Sequence, residues 1–447
     1  MALNLQSSTE AFQEKFKKSG ELSAAGDQYI PGGYSRNSLT FGPHAIYVER
    51  GEGQYIHTVD GHKLLDFHNN FSCSILGHSH PKMREALLDS VSKGFSFGNP
   101  MAHEHRLAQI LCERIASVDK VVFTCSASEA CIAAVRYARA YTGKDKIAKF
   151  DGGYHGLGDE FTLSIHSAAE HFPGAPEFPR PVPLCGGIPI ATQQNVVVLP
   201  QNDFASCKRI LTQNAGQVAC VMMELQTGAG GVITLQKEFV QSVRELTEEL
   251  GMLLIIDETI SLRSAFHGMQ SLFDIKPDLT VMGKMIGGGL PLGAVGGAEK
   301  YLNMNSNGQV YHSGTHHGHP MATRAGIACM EVMDEKTYAR MNAQAARLKD
   351  EINTYAKQKN LPIYFYGLGS HLGYEITDKP GRIYSSCREI LTYSNHEAMQ
   401  TFAFEMATRG IFPMYRGQIA LSEPMTEADI DTFVRISKEV IEDIFAP

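Results

Sequence analysis

The sequence predicts an α/β protein in which a large domain is built on a mainly parallel central sheet and a small α+β domain is assembled from both chain ends. Three observations carry this prediction. From about residue 105, apolar β-rich runs alternate with helical stretches; after about residue 335, long helical segments surround short strands; and residues 53–67 alternate about a central Asp-Gly.

The alternating segment, GQYIHTVDGHKLLDF, reads as a hairpin with a tight turn at Asp60-Gly61, an antiparallel unit near the N-terminus. The runs VVFTC at 121, IAKF at 147, VACVMME at 218, MLLIIDE at 252 and LTVMGK at 279 read as strands buried on both faces, as parallel sheets require. Between the third and fourth of these, Phe239, Val243, Leu246 and Leu250 recur at helical spacing and Gly251 ends the pattern, giving an amphipathic crossover helix. The segments EKTYARMNAQAARLKDEINTYAKQ and TEADIDTFVRISKEVIEDIF are helical and flank the strand-like YFYGLGSHLGYEI. These readings put the small domain in residues 1–75 and 335–447 and the large domain in residues 76–334, with no internal repeat.

A chain of 447 residues is too long for one ordinary domain, which favours two. Its net charge of -8 disfavours nucleic acid and anionic lipid as partners and favours small-molecule chemistry. The opening MALNLQSSTEAFQEKFKKSG reads as an amphipathic helix with no apolar leader. No run approaches the ~20 apolar residues of a membrane span, so the expected location is cytoplasmic. Nine cysteines, odd in number and without a CxxC pair, read as reduced thiols; Cys220 and Cys329 sit in apolar runs typical of a core.

Four places carry chemistry. Ser126-Ala127-Ser128 follows a strand and opens the helical SEACIAAVRYARAY, where hydroxyls and free amides at a helix N-terminus suit a phosphate, or serve only as a cap. Asp257 ends the apolar MLLIID, at the carboxyl edge where open α/β sheets bind ligands, and a buried carboxylate there wants a cation. Glu258 beside it reads as a structural hydrogen-bonding group. Lys284, between a strand and the glycine run IGGGLPLG, is an amine in apolar surroundings that promote its neutral form, which disfavours the competing reading of a surface lysine. Tyr154 in KFDGGYHGLG offers a flat ring, with His155 and Gly156 shaping the loop. Together these supply a phosphate nest, a partner for a pyridine nitrogen, an amine for an aldehyde and a ring to stack on, the needs of pyridoxal 5'-phosphate (PLP).

In PGGYSR, VDGHKLLDF, GHSHP, SASEA, KFDGGYHG, IIDE, GKMIGGGLPLGAVGG and SGT, in that order over nearly the whole length, the chain resembles the class III (fold type I) PLP aminotransferases. It is similar to glutamate semialdehyde aminomutases and more so to β-amino acid aminotransferases acting on β-phenylalanine. The resemblance implies that Lys284 is the Schiff-base lysine and proton-transfer base, that Asp257 pairs with the ring nitrogen, and that Tyr154 stacks on the ring. It implies a phosphate cradle of Ser126, Ala127 and Ser128, with His155, Glu224 and Thr259 also at the cofactor. Thr315 in YHSGTHHGHP would reach the phosphate of the other subunit, implying a homodimer with shared active sites, and Arg36 and Arg416 would bind substrate carboxylates.

The chain departs from the family pattern at Ala127, where glycine is usual, at Thr259, where valine is usual, and at Leu225, where proline is usual. The implied reaction is amino transfer from an amino acid, β-amino acids included, to an oxo acid by ping-pong kinetics. An intramolecular aminomutase, an epimerase or a lyase in the same site are the rival activities, and a PLP-fold protein without catalysis is a rival of another class. His312, His316, His317 and His319 invite a metal reading, but no cysteine or carboxylate near them in sequence completes a set, so no metal is expected. His78 and His80 in GHSHP read as turn histidines.

Overall fold

The computed structural model describes residues 3–39, 42–166 and 174–446. Its strands in chain order are β1 (Val48–Glu52), β2 (Tyr55–Thr58), β3 (Lys63–Asp66), β4 (Lys120–Thr124), β5 (Lys146–Phe150), β6 (Val196–Leu199) and β7 (Val218–Met223). They continue with β8 (Leu253–Asp257), β9 (Leu279–Met282), β10 (Gly293–Gly297), β11 (Ile363–Tyr366), β12 (His371–Ile376), β13 (Ile411–Phe412) and β14 (Gln418–Ala420). The chain divides into two compact units: Met1–His80 with Arg340–Ile383 and Tyr393–Pro447, and Pro81–Ala339 with Tyr384–Thr392.

The second unit is built on a seven-stranded sheet of order β4-β10-β9-β8-β7-β5-β6. Strands β5 to β9 pair in parallel, and β10 is antiparallel to both β4 and β9, so every strand but β10 sends its C-terminal end to the same edge. Alternate residues feed two cores. Leu253 and Ile255 pack with Ala130, Ala134 and Tyr137 of the helix Ala127–Thr142, whereas Leu254 and Ile256 pack with Phe239, Val243 and Leu246 of the helix Lys237–Glu249. Each such aliphatic side chain, fully buried, contributes about 1.5–3 kcal/mol. The crossover helix stops where its spacing says it should, with Gly251 at φ 61°.

Two strands of this sheet were not expected. β6 is a four-residue edge strand, and β10 is GAVGG, a composition that argues against a strand. Packing explains those glycines: a Cβ on Gly293 would come within 2.3 Å of the Ser126 backbone, and one on Gly296 within 2.7 Å of Val118.

The first unit holds a sheet β1-β2-β3-β13 and a three-stranded antiparallel sheet β11-β12-β14. The hairpin is present: β2 and β3 pair antiparallel, the Thr58 N–H donates to the His62 carbonyl at 2.9 Å, and Gly61 takes φ 85°. Phe12 of the helix Leu5–Lys15 lies 4.9 Å from Phe404 and clusters with Phe16, Ile56 and Leu64.

One segment departs from the expected division. Tyr384–Thr392, placed by the sequence in the C-terminal part of the small domain, groups with the second unit, where the Cys387 N–H donates to Gln201 Oε1 at 2.7 Å and Arg388 pairs with Asp151 at 2.6 Å. Among the described residues no helix is long and apolar enough to cross a membrane.

Candidate active site

The shared strand edge of the second unit gathers most of the residues singled out in that part of the sequence, Thr315 excepted. At its centre is Asp257, the last residue of β8 and buried. Its Oδ2 lies 2.9 Å from His155 Nδ1, in the loop after β5, and its Oδ1 accepts the Thr259 N–H at 3.0 Å. Burial alone would raise this carboxyl, but the hydrogen bonds donated by His155 and Thr259 overcome it and hold Asp257 below the usual range. Burial lowers His155 despite the carboxylate beside it, so the imidazole is neutral and donates a hydrogen bond from Nδ1–H to Asp257. Its buried Nε2 has no hydrogen-bond partner among the described residues.

The pair therefore keeps a net negative charge away from water, a state that calls for a cation. Cys131, one turn into the helix Ala127–Thr142, turns its thiol toward Asp257 Oδ2 at 3.6 Å. Sequence reasoning missed this contact, although the four-residue step from Ala127 to Cys131 puts both on one helix face.

Glu224 follows β7 and is buried. Its two oxygens accept the N–H groups of Tyr154 at 2.9 Å and Gly228 at 3.0 Å. Burial pushes this carboxyl up and the Asp257 charge adds to the shift; the two N–H groups and the positive charge of Lys284 oppose it without cancelling it. Tyr154 is thus tied by its backbone to Glu224 while its side chain stays 38% exposed, an accessible ring at the sheet edge.

Lys284 begins the turn Lys284–Gly287 after β9 with φ 50°, a left-handed conformation that residues other than glycine rarely adopt. Gly283 before it has no room for a side chain: a Cβ there would come 2.8 Å from Ala127 Cβ and 3.2 Å from Thr259 Cγ2. Gly156, at φ 98°, is likewise closed in by Ser128. Ser126 caps the helix, its Oγ accepting the Glu129 N–H at 3.3 Å. Ala127, Ser128, Gly156, Thr259 and Lys284 are thereby neighbours, although the sequence scatters them over several loops.

The remaining residues are not at this cluster. Thr315 is exposed in the loop before the helix Pro320–Val332. Arg36 and Arg416 belong to the other unit, both exposed; Arg36 Nη1 donates to Asn70 Oδ1 at 3.0 Å, and Arg416 Nε donates to the Tyr415 hydroxyl at 3.0 Å.

The expectation that no cysteine or carboxylate stands by the histidine cluster needs correction. His317 Nε2 lies 3.5 Å from Glu129 Oε2, and Cys125 is grouped with both. Other histidines of the cluster have structural tasks: His312 Nε2 contacts the Phe123 carbonyl at 2.8 Å, and His319 caps its helix by accepting the Met321 N–H.

The sequence pattern described as Aminotransferase class-III matches residues 38–418. The chain belongs to that family. A glutamate-1-semialdehyde 2,1-aminomutase of Heliobacterium modesticaldum is 34% identical over 439 residues, covering 96% of this chain and 98% of that protein. An omega-transaminase structure from Sphaerobacter thermophilus is 34% identical with a TM-score of 0.90, over 95% of this chain and 97% of that one. A β-phenylalanine aminotransferase structure from Variovorax paradoxus is 30% identical with a TM-score of 0.88, over 97% and 96% of the two chains.

The chain is therefore a class III, fold type I enzyme, and its cofactor is pyridoxal 5'-phosphate. The residues present fit that group. The His155–Asp257 pair offers a buried negative charge to a protonated ring nitrogen, and Gly156 and Gly283 leave bare backbone beside the serine-capped helix N-terminus.

Proposed function

We propose that this enzyme transfers the amino group of an amino acid, β-amino acids included, to an oxo acid in two half-reactions at Lys284. The observation that carries this reading is the grouping of Lys284, Glu224 and the buried His155–Asp257 pair on one sheet edge. When bound, the cofactor supplies an aldehyde that condenses with amines and a cationic ring that takes up the electron pair left on the substrate carbon.

The residues divide the work. Asp257, fixed by His155 and Thr259, holds the proton on the ring nitrogen. Lys284 would hold the cofactor through Nζ; freed by the substrate amine, Nζ would take the proton from the substrate carbon and deliver it to the cofactor carbon that bears the amine. Tyr154 covers the ring, and Glu224 holds the Tyr154 and Gly228 backbones in place. Ser126, Ala127 and Ser128 take the phosphate together with Thr315 of the partner subunit. Arg36 and Arg416 take substrate carboxylates. The working form in this reading is a cytoplasmic homodimer.

The name carried by the Heliobacterium modesticaldum relative favours a second reading, in which the same residues move the amine within one molecule. A panel of α- and β-amino donors, with pyruvate and 2-oxoglutarate as acceptors, separates the two. Amino transfer releases the donor's oxo acid and requires the acceptor; a mutase does neither and isomerises a semialdehyde substrate alone.

A further inference from the structure

Four consecutive residues other than glycine lie in the left-handed region: Asn69 at φ 48°, Asn70 at φ 49°, Phe71 at φ 53° and Ser72 at φ 66°. Asparagine tolerates that conformation and phenylalanine does not, because its Cβ crowds the following carbonyl. Such a run persists only where its surroundings over-determine it, and it points to function.

The surroundings are specific. Asp66 Oδ1 accepts the N–H groups of His68 at 2.8 Å and Asn69 at 2.9 Å, and His68 Nδ1 accepts the Phe71 N–H at 3.2 Å. Asn69 Nδ2 donates to the carbonyl of Ala420 in β14 at 2.6 Å. The His68 ring lies between Phe71, at 4.2 Å, and Phe412 of β13, at 5.2 Å. The turn is thus tied to the two strands that flank Arg416 in sequence.

What the turn presents is Asn70, whose Oδ1 accepts from Arg36 Nη1 at 3.0 Å, and Phe71, whose ring centroid lies 5.8 Å from the same guanidinium. No Asp or Glu among the described residues forms an ion pair with Arg36. A neutral amide orients the guanidinium without neutralising it, which leaves its charge for an incoming anion. Arg416 is held in the same manner, by the Tyr415 hydroxyl and ring.

We propose that the left-handed turn Asn69–Ser72 is the device that sets the carboxylate-binding Arg36, with Asn70 as its positioning residue. This rests on the reading above that Arg36 binds a substrate carboxylate. The neutral side chain at position 70 is the essential feature, and the strain of the turn is what keeps it there.

The test uses the PLP-loaded enzyme, the carboxylate donor turned over fastest in the panel above, and the amine of the same skeleton without the carboxyl group. Asn70→Gly keeps a residue that adopts the left-handed conformation freely and removes only the amide. It should raise KM for the amino acid about tenfold, the scale of a lost charged hydrogen bond, while kcat and the half-reaction rate with the amine stay within about twofold. Asn70→Asp should raise KM further, because its carboxylate competes with the substrate's, and added salt should partly relieve the rise. Arg36→Ala should raise KM at least as much as either. If Arg36→Ala raises KM and Asn70→Gly does not, or if Asn70→Gly impairs acid and amine alike, the turn does not position the arginine and the inference fails while the role of Arg36 stands. If Arg36→Ala leaves KM unchanged, the role of Arg36 fails and the inference goes with it.

Discussion

His155 Nδ1 lies 2.9 Å from Asp257 Oδ2, both side chains buried, and this contact is what allows a carboxylate to stay ionised inside the sheet edge. With His155 neutral, the pair is an anion held by hydrogen bonds, waiting for the positive charge that a protonated pyridine ring supplies.

His155→Ala should therefore do two things to the cofactor-free protein. Removing the neutral donor from a buried carboxylate takes away a hydrogen bond to a charged group, so unfolding should become easier by about 1.5–3 kcal/mol. The pH dependence should also reverse for this group. In the wild type the Asp257 carboxyl is depressed, so its contribution is complete above the ordinary 3.8 and is lost in stronger acid; in the variant only Thr259 still opposes burial, and the carboxyl moves up. The stability gap between variant and wild type should then widen as pH rises above about 4, which urea unfolding across pH 4–8 reads directly. A gap that is constant with pH would contradict the account of the pair.

Lys149 in β5 is fully buried, donates to the Leu163 carbonyl, and is lowered by burial from 10.5 to about 8. A depressed lysine is neutral in the folded chain and charged in the unfolded chain between those two values, so folding stability from this group rises with pH there. Below about 8 the lysine is charged in both states, and the folded chain alone carries the full cost of burying that charge. Lys149→Met should thus compare better with the wild type at pH 7.5 than at pH 9.5, with a change on the order of 2 kcal/mol between the two in denaturant unfolding.

The buried Thr259 hydroxyl, where the family resemblance implies valine, supports the Asp257 carboxylate together with the Thr259 N–H and helps to hold it down. Thr259→Val removes that support and keeps the shape, and should lower the stability of the cofactor-free protein by about 1 kcal/mol at neutral pH. Its N–H bond to Asp257 is unaffected, so cofactor affinity should hold within about threefold. Thermal unfolding and a PLP titration measure the two separately.

Thr315 is exposed on the single chain, a place that makes sense for a residue acting on another subunit. If the proposed homodimer holds, Thr315→Ala should leave it intact in sedimentation while weakening PLP binding by roughly 10- to 100-fold, the loss of one hydrogen bond to a charged group. An active wild-type monomer at high dilution would remove the shared site.

How much of this was legible depended on whether burial left a mark in the local sequence. Strands such as β7 and β8 announce themselves as unbroken apolar runs because both of their faces are covered. β10 does not, since its glycines answer to Ser126 and Val118, which lie far away in the chain. Asp257 and Lys284 could be found because strand ends mark the edge of a sheet. The neighbours of Lys284 were harder: Gly283 matters through Ala127 and Thr259, and nothing local says so. The same holds for Cys125 and Glu129 beside His317, and for the left-handed turn, where Asn-Asn hints at the conformation and Phe71 argues against it.

The central claim is that Lys284 is the amine through which the cofactor and the proton are handled. The direct measurement is the visible spectrum of the purified protein after incubation with PLP and removal of the excess, followed by addition of an amino donor without acceptor. The wild type should show a near-violet band that the donor depletes as oxo acid appears, one equivalent per site, and that an added acceptor restores; Lys284→Ala, folded and still binding PLP, should neither release oxo acid nor recover the band. A colourless wild type, or a Lys284→Ala variant that releases oxo acid at the wild-type rate, would contradict it.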